Sequence, residues 1–245
     1  MKFTLLLTIS IVITSFFGDM VTWLQYDNKS FYNVSADITT DYQNEKVTIM
    51  SNNNFNIFVF NSQTFKVSTD KPKNKSFYMN ANFFDEDGEN IGLVVVNGKR
   101  ESSRVSGGGY LYTLNGKTTV SSKTCPYYTD YSAQTILWAI DNGIINHTLL
   151  NQSHANQLTY RTLIGQNKEG DIIIIASKNG GVVTIRDIVN LATDLNVIEA
   201  ILFDGGTSVD YEFDNGEFSV GFNSLSNFSK FLMGIDSPSS YIYLD

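Results

Sequence analysis

From Val34 to Phe65 apolar and polar positions alternate in short runs, VSADI, KVTIM and NIFVF, separated by asparagine-rich breaks. A period of two sends successive side chains to opposite faces of an extended strand, one face toward a core and one toward water. The lysine-rich TDKPKNKS, with Pro72 inside it, reads as a loop. SFYMNANFF then runs into DEDGEN, a turn signal. GLVVV runs into NGK, YLYTL into NGK and TTV, and ILWAI into DNG and IIN. Asn-Gly supplies the positive φ of tight two-residue turns, so these runs predict antiparallel hairpins.

The last third changes period. Asp171 to Ser177 (DIIIIAS) is a near-continuous β-branched run, which predicts a strand covered on both faces. Lys178 to Gly181 reads as a turn. Thr184 lies three residues before Asp187, close to a capping box. Ile188, Leu191, Ala192 and Leu195 follow at i, i+3, i+4 and i+7, the apolar stripe of one helix. EAILF is a second buried strand, and ILFDGGTS puts Asp204 at its end, before a glycine pair. The end of a core strand is rigid and opens to solvent, which suits a site residue. No composition break divides the chain after residue 30. The expected fold is therefore a single α+β domain over residues 34–245, largely antiparallel β-sheet with a strand-helix-strand unit in the C-terminal third.

A chain of 245 residues, 42% hydrophobic, can bury the core of one large domain or two small ones. A net charge of -8 without any Lys/Arg-rich run excludes an electrostatic grip on nucleic acid or an anionic membrane. Residues 1–18, MKFTLLLTISIVITSFFG, carry one lysine before an apolar run shorter than the roughly 20 residues of a spanning helix. They read as a signal peptide or, without a clean small-x-small cleavage site, an uncleaved N-terminal anchor; the alternative is a buried first strand. The expected location is secreted or extracytoplasmic, with membrane contact only through that anchor. Cys125 is the only cysteine, so no internal disulfide forms, and a lone thiol reads as a packed small hydrophobe.

Several chemistries lack their residues. With only His147 and His154 and no cysteine pair, the usual zinc spacings are absent. No G-x-S-x-G elbow or G-x-G-x-x-G fingerprint occurs. Ser106 to Gly109 (SGGG) lacks the Lys-Ser/Thr of a phosphate loop and reads as a flexible hairpin. Carboxylates, amides and an arginine at strand ends remain. Arg161, just before TLIG, can clamp an anionic oxygen with its planar fork, or form a surface ion pair, which composition favours. Asn80 and Asn82 flank Ala81 and can cap a turn or read sugar hydroxyls. Asp85 opens DEDG, half a calcium loop without the full spacing, and reads as a turn residue.

The order of these segments carries more than any one of them. MNANFFDEDGENIGL, AQTILWAIDNG, RTLIGQNKEGDIIIIASKNGGVVTIRDIVNLATDL and EAILFDGGTS together resemble the phosphodiester glycosidase family, over residues 34–245. That family's pattern runs N-G-G-F-F-D, a Gln-containing strand, R-T-x-x-G with a following hairpin, a helix, then L-D-G-G-G-S. Its bacterial members include proteins linked to exopolysaccharide. Asn80, Phe83, Phe84 and Asp85 match the first motif, Gln134 the glutamine, Arg161 and Gly165 the R-T-x-x-G, and Asp204, Gly205, Gly206 and Ser208 the last. Ala81-Asn82 replaces Gly-Gly, Ile136-Leu137 stands where Gly-Pro is usual, and Thr207 replaces the third glycine.

The resemblance implies an exported glycosidase that hydrolyses the sugar-phosphate bond of a glycosyl phosphodiester in a glycan or cell-envelope polymer. Its alternative is a non-catalytic glycan-binding envelope domain of the same fold. Asp204 would face the anomeric carbon as base or nucleophile, and Arg161 would bind the phosphate. Asn80, Gln134 and Ser208 would orient the substrate. Gly205 and Gly206 would let it approach the backbone, and Asp85 would be a second acid/base or a turn residue. The implied partner is the sugar phosphodiester or glycan, not nucleic acid. No cofactor or metal ligand is implied, though an assisting divalent cation stays open.

Overall fold

Asparagine and glycine shape the hairpin turns as their chemistry demands. In the computed structural model, Asn97, Asn115 and Asn142 hold φ of 51°, 51° and 49°, and Gly98, Gly116 and Gly143 follow at 74°, 76° and 77°. Two successive positive φ values twist the chain to match the right-handed twist of the flanking strands. The structure describes residues 38–85, 87–178, 181–213, 218–220 and 239–245. The expected leader at residues 1–18, and VSADI up to Asp37, lie outside them.

Numbered in chain order, the strands form four sheets. The largest runs, edge to edge, through β1 (Thr39–Gln43), β2 (Val47–Ser51), β3 (Phe55–Phe60), β16 (Ile172–Ser177), β15 (Thr162–Gln166), β17 (Glu199–Leu202), β13 (Leu137–Asp141) and β14 (Ile144–Ile145). A second has the order β11 (Lys117–Ser121), β10 (Gly109–Leu114), β12 (Tyr131–Thr135), β8 (Val94–Val96) and β9 (Lys99–Arg100). A third has β19 (Phe218–Val220), β18 (Tyr211–Phe213), β5 (Phe77–Asn80), β20 (Tyr241–Leu244) and β4 (Lys66–Ser68). Strands β6 (Phe83–Phe84) and β7 (Asn90–Ile91) pair by themselves. Among the described residues there are two α-helices, α1 (His147–Leu150) and α2 (Ile185–Asp194).

All described strand pairs are antiparallel, as the alternation predicts. The β16–α2–β17 unit is present, but β15 lies between its two strands and runs against both. Every residue of β16 is buried. Ile172, Ile174 and Ala176 join Ile49, Phe58 and Phe60 in the main core, beside Met79 and Ile242 of the third sheet and Leu111 and Val120 of the second. Ile173 and Ile175 alternate onto the opposite face, where α2 packs across β15 with Ile188, Leu191 and Ala192 buried. A continuous apolar run thus marks burial on both faces rather than parallel pairing.

The capping box of α2 forms with Asp187 in the place of the usual Glu. The Thr184 hydroxyl accepts from Asp187 N at 3.1 Å, and Asp187 Oδ2 accepts from Thr184 N at 2.8 Å. Such a cap stabilises a helix by about 1 kcal/mol. The helical residues end at Asp194, leaving Leu195 as the C-cap. The SGGG segment is not a hairpin. It leads from β9 into β10, and the Gly107 carbonyl accepts a hydrogen bond from the Gln134 side chain at 2.9 Å.

Candidate active site

Strand β17 pairs Leu202 with Leu163 of β15 on one side and Leu137 of β13 on the other. Two residues on, Asp204 leaves the sheet half-buried, with its peptide held from two directions. Its N–H donates to the Ala81 carbonyl at 3.1 Å. Its carbonyl accepts from Asn80 Nδ2 at 2.9 Å and from the Thr162 hydroxyl at 3.4 Å. The backbone bearing the carboxylate is therefore fixed by the ends of β5 and β15, as a preorganised site needs.

The glycine pair packs this segment against Arg161. A Cβ on Gly205 would stand 2.7 Å from the Tyr160 carbonyl oxygen and 3.7 Å from both Cα and Cδ of Arg161. Gly206 N donates to the same Tyr160 oxygen at 2.8 Å, with φ at +64°. Gly205 thus serves the close approach of two protein segments, while Gly206 holds a positive φ that L side chains rarely adopt. Ser208 closes the short turn that follows, its N–H on the Gly205 carbonyl at 3.2 Å, and is itself buried.

Arg161 starts β15 in register through Ser177, whose hydroxyl accepts its N–H at 2.9 Å and whose own N–H donates to its carbonyl at 2.9 Å. Among the described residues the guanidinium makes no surface ion pair, contrary to what composition favours. Its Nη2 donates to the carbonyls of His154 and Gln157 at 3.0 and 3.1 Å, and its buried Nε has no partner. No carboxylate pairs with it among the described residues. Burial lowers its pKa from the ordinary arginine value, yet a guanidinium stays charged in proteins. The result is a half-buried cation whose hydrogen-bond partners are neutral, set against the backbone that follows Asp204. An anion reaching the guanidinium would meet a positive charge that no carboxylate among the described residues offsets.

Two of the amides have other work. Asn80 is completely buried, and its side chain joins Asp204 O to Asp210 N, the latter at 3.1 Å to Oδ1. Gln134 is also completely buried, and all its hydrogen-bonding capacity is taken up. Its Oε1 accepts from Leu93 and Val105 N–H at 3.0 and 3.1 Å, while Nε2 donates to the Val105 and Gly107 carbonyls at 2.8 and 2.9 Å. Both amides hold loops, so neither is free to orient a substrate as the resemblance implied. Asp85 is a turn residue at the β6–β7 hairpin. Its Oδ1 accepts from Asp87 and Glu89 N–H at 3.0 and 2.9 Å, which fits the turn role of the two that the resemblance left open.

Sequence reasoning did not single out Thr162, Ser177 or Asp210. A second aspartate in the apolar stretch VDYEF was the one available signal for Asp210, since a carboxylate seldom sits among core residues without a partner. Among the described residues no three His, Cys, Asp or Glu side chains gather as a metal-binding group.

The same architecture occurs in solved structures. The catalytic domain of zebrafish N-acetylglucosamine-1-phosphodiester alpha-N-acetylglucosaminidase (NAGPA), auto-inhibited by its pro-peptide, superposes with a TM-score of 0.63 at 16% identity, covering 84% of this chain and 81% of that one. A hypothetical protein from Synechocystis superposes with a TM-score of 0.59 at 12% identity, covering 84% of this chain and 63% of that one. At these identities the likeness bears on the fold. No curated protein matches the sequence significantly. Residues 73–227 match the family described as phosphodiester glycosidase (NAGPA), more than half of the chain, and the protein accordingly belongs to the phosphodiester glycosidase family.

Proposed function

We propose that this protein is an exported glycosidase that hydrolyses the sugar-phosphate bond of a glycosyl phosphodiester in a glycan or cell-envelope polymer. The observation that carries the reading is Arg161, a half-buried cation with neutral partners, packed against the glycine that follows Asp204. Such a cation suits a phosphodiester oxygen and the charge that develops on it as the bond breaks. The Asp204 carboxylate acts at the anomeric carbon, directly as nucleophile or by taking a proton from the attacking water. The bond from that carbon to the bridging oxygen breaks, its electron pair leaves with the phosphate, and water supplies the new sugar hydroxyl. A phosphomonoester is a good leaving group, so strong acid assistance is unnecessary. Asp85, engaged in its turn, need not supply it.

Export is proposed on residues 1–18, and among the described residues no helix is long and apolar enough to cross a membrane. The competing reading, glycan binding without turnover, rested on residues that replace family glycines. Of these, Ala81 and Asn82 are completely buried within the fold, whereas Ile136 is 43% exposed, so the choice between the two readings falls to turnover. The test is sugar release from a sugar-1-phosphodiester, with and without chelator, by the protein and its Asp204→Asn variant. Release lost in a folded Asp204→Asn protein supports the role, and undiminished release removes Asp204 from the chemistry. Binding without release by the unmutated protein supports the binding domain.

A further inference from the structure

One buried carboxylate has no part in the chemistry proposed above. Asp210 is 2% exposed. Lys71 Nζ donates to its Oδ1 at 3.0 Å and its Oδ2 at 2.7 Å, and the Tyr241 hydroxyl lies 3.5 Å from Oδ2. Lys71 comes from the TDKPKNKS loop, its side chain 47% exposed and its Nζ 4.9 Å from the centre of the Tyr78 ring. The Tyr78 hydroxyl donates to Glu212 at 3.0 Å. Burial first, and then the Asp210 charge, push the Tyr78 and Tyr241 hydroxyls well above the ordinary tyrosine range, so both remain protonated donors.

The main chain of Asp210 belongs to Asn80. Asn80 N donates to the Asp210 carbonyl at 2.8 Å, and Asp210 N donates to Asn80 Oδ1 at 3.1 Å. The other end of that amide donates to the Asp204 carbonyl at 2.9 Å. One buried amide thus ties the first and last residues of the segment from Asp204 to Asp210. A carboxylate at this depth is costly without its counter-ion, so Asp210 keeps its place only while Lys71 covers it. An apolar pair of similar volume could pack there at no loss of stability, whereas a charge pair fixes one arrangement of the segment.

We propose that Lys71 and Asp210 are positioning residues, a remote clamp that sets the placement of Asp204 through Asn80. The proposal rests on the glycosidase reading for its effect on rate, but not for its effect on structure. Displacing a reacting group slightly costs roughly tenfold to a hundredfold in rate.

The test uses the full chain and its Lys71→Met and Lys71→Arg variants, with three readouts. These are the backbone amide resonances of Asp204, Gly205 and Gly206, the affinity for inorganic phosphate, and kcat and KM on a sugar-1-phosphodiester. In Lys71→Met the three resonances shift while that of Thr119 in β11 stays. The kcat falls at least about tenfold, and KM and phosphate affinity stay within about twofold. Lys71→Arg restores the resonances and the rate. If Lys71→Met does not fold, Lys71→Met/Asp210→Asn, which leaves no lone charge, carries the same expectations. Unshifted resonances in either folded variant overturn the clamp. So does a loss of phosphate affinity in step with kcat, because a general distortion would do that. If the unmutated protein has no turnover, the glycosidase reading fails alone, and the resonances still decide the clamp.

Discussion

The side-chain nitrogen of Asn80 donates to the carbonyl of Asp204 at 2.9 Å, across 124 positions of sequence. The same side chain receives the Asp210 N–H, so Asn80→Ala leaves that buried N–H without its partner and the Asp204 carbonyl with only the long contact to the Thr162 hydroxyl. The expected loss of stability is about 1–3 kcal/mol, the cost of one unsatisfied buried group and one weakened one. Denaturant unfolding measures it as a lower midpoint at unchanged slope. A loss below about 0.5 kcal/mol would show that the amide is dispensable.

Gly205→Ala tests the contact between the two segments of the site. The new Cβ would stand 2.7 Å from the backbone oxygen of Tyr160, and neither chain is a flexible side-chain end. We expect a loss of about 1–3 kcal/mol in stability and at least about tenfold in kcat/KM. Gly206→Ala, strained only through its φ of +64°, should cost about 1–2 kcal/mol. Unaltered kinetics in Gly205→Ala would separate this contact from the site.

Arg161→Lys keeps the charge and removes the fork. A single ammonium cannot hold the His154 and Gln157 carbonyls and still present a planar pair of donors to an anion. Calorimetric titration with inorganic phosphate should show affinity at least about tenfold weaker, in a folded protein. Equal affinity would mean that the anion binds elsewhere.

Gln134→Glu puts an acceptor where Nε2 now faces the Val105 and Gly107 carbonyls. The buried repulsion should cost about 2–4 kcal/mol and release the 101–108 segment. Limited proteolysis within that segment, faster in the variant than in the unmutated protein, is the readout.

The alkaline limit follows from three phenols. Burial is the leading cause that raises Tyr78, Tyr211 and Tyr241 above the ordinary tyrosine value of 10.0. A group with a raised folded-state pKa supports the fold fully below its unfolded value and withdraws that support as pH climbs toward the folded one. Stability should therefore decline from about pH 10 upward. In a spectrophotometric titration these three tyrosines should ionise only with unfolding. Reversible ionisation of all 13 tyrosines in the folded protein would contradict their burial.

Much of the fold was legible because its signals are local. The Asn-Gly turns, the Thr184–Asp187 cap and the stripe of α2 each depend on residues a few positions apart. Strand β1 escaped because TTDYQ is an exposed edge, with no buried face to impose alternation. Strands β18 and β20 escaped because runs of three and four residues are too short to show a period. At the site, the place of Asp204 at a strand end could be read in advance. The roles of Asn80, Gln134 and Gly205 could not, because each answers to a partner far along the chain.

By itself the sequence determined an antiparallel, doubly covered β core with one capped crossover helix and an aspartate-glycine-glycine segment leaving a buried strand. Those features are set by steric and hydrogen-bonding preferences within a few residues. Only the tertiary structure decided that Arg161 would meet carbonyls instead of a carboxylate, that Gly205 would be pressed onto Tyr160, and that Lys71 would cover Asp210 from 139 residues away. Burial and charge pairing depend on what the folded chain brings alongside, and no local pattern contains that.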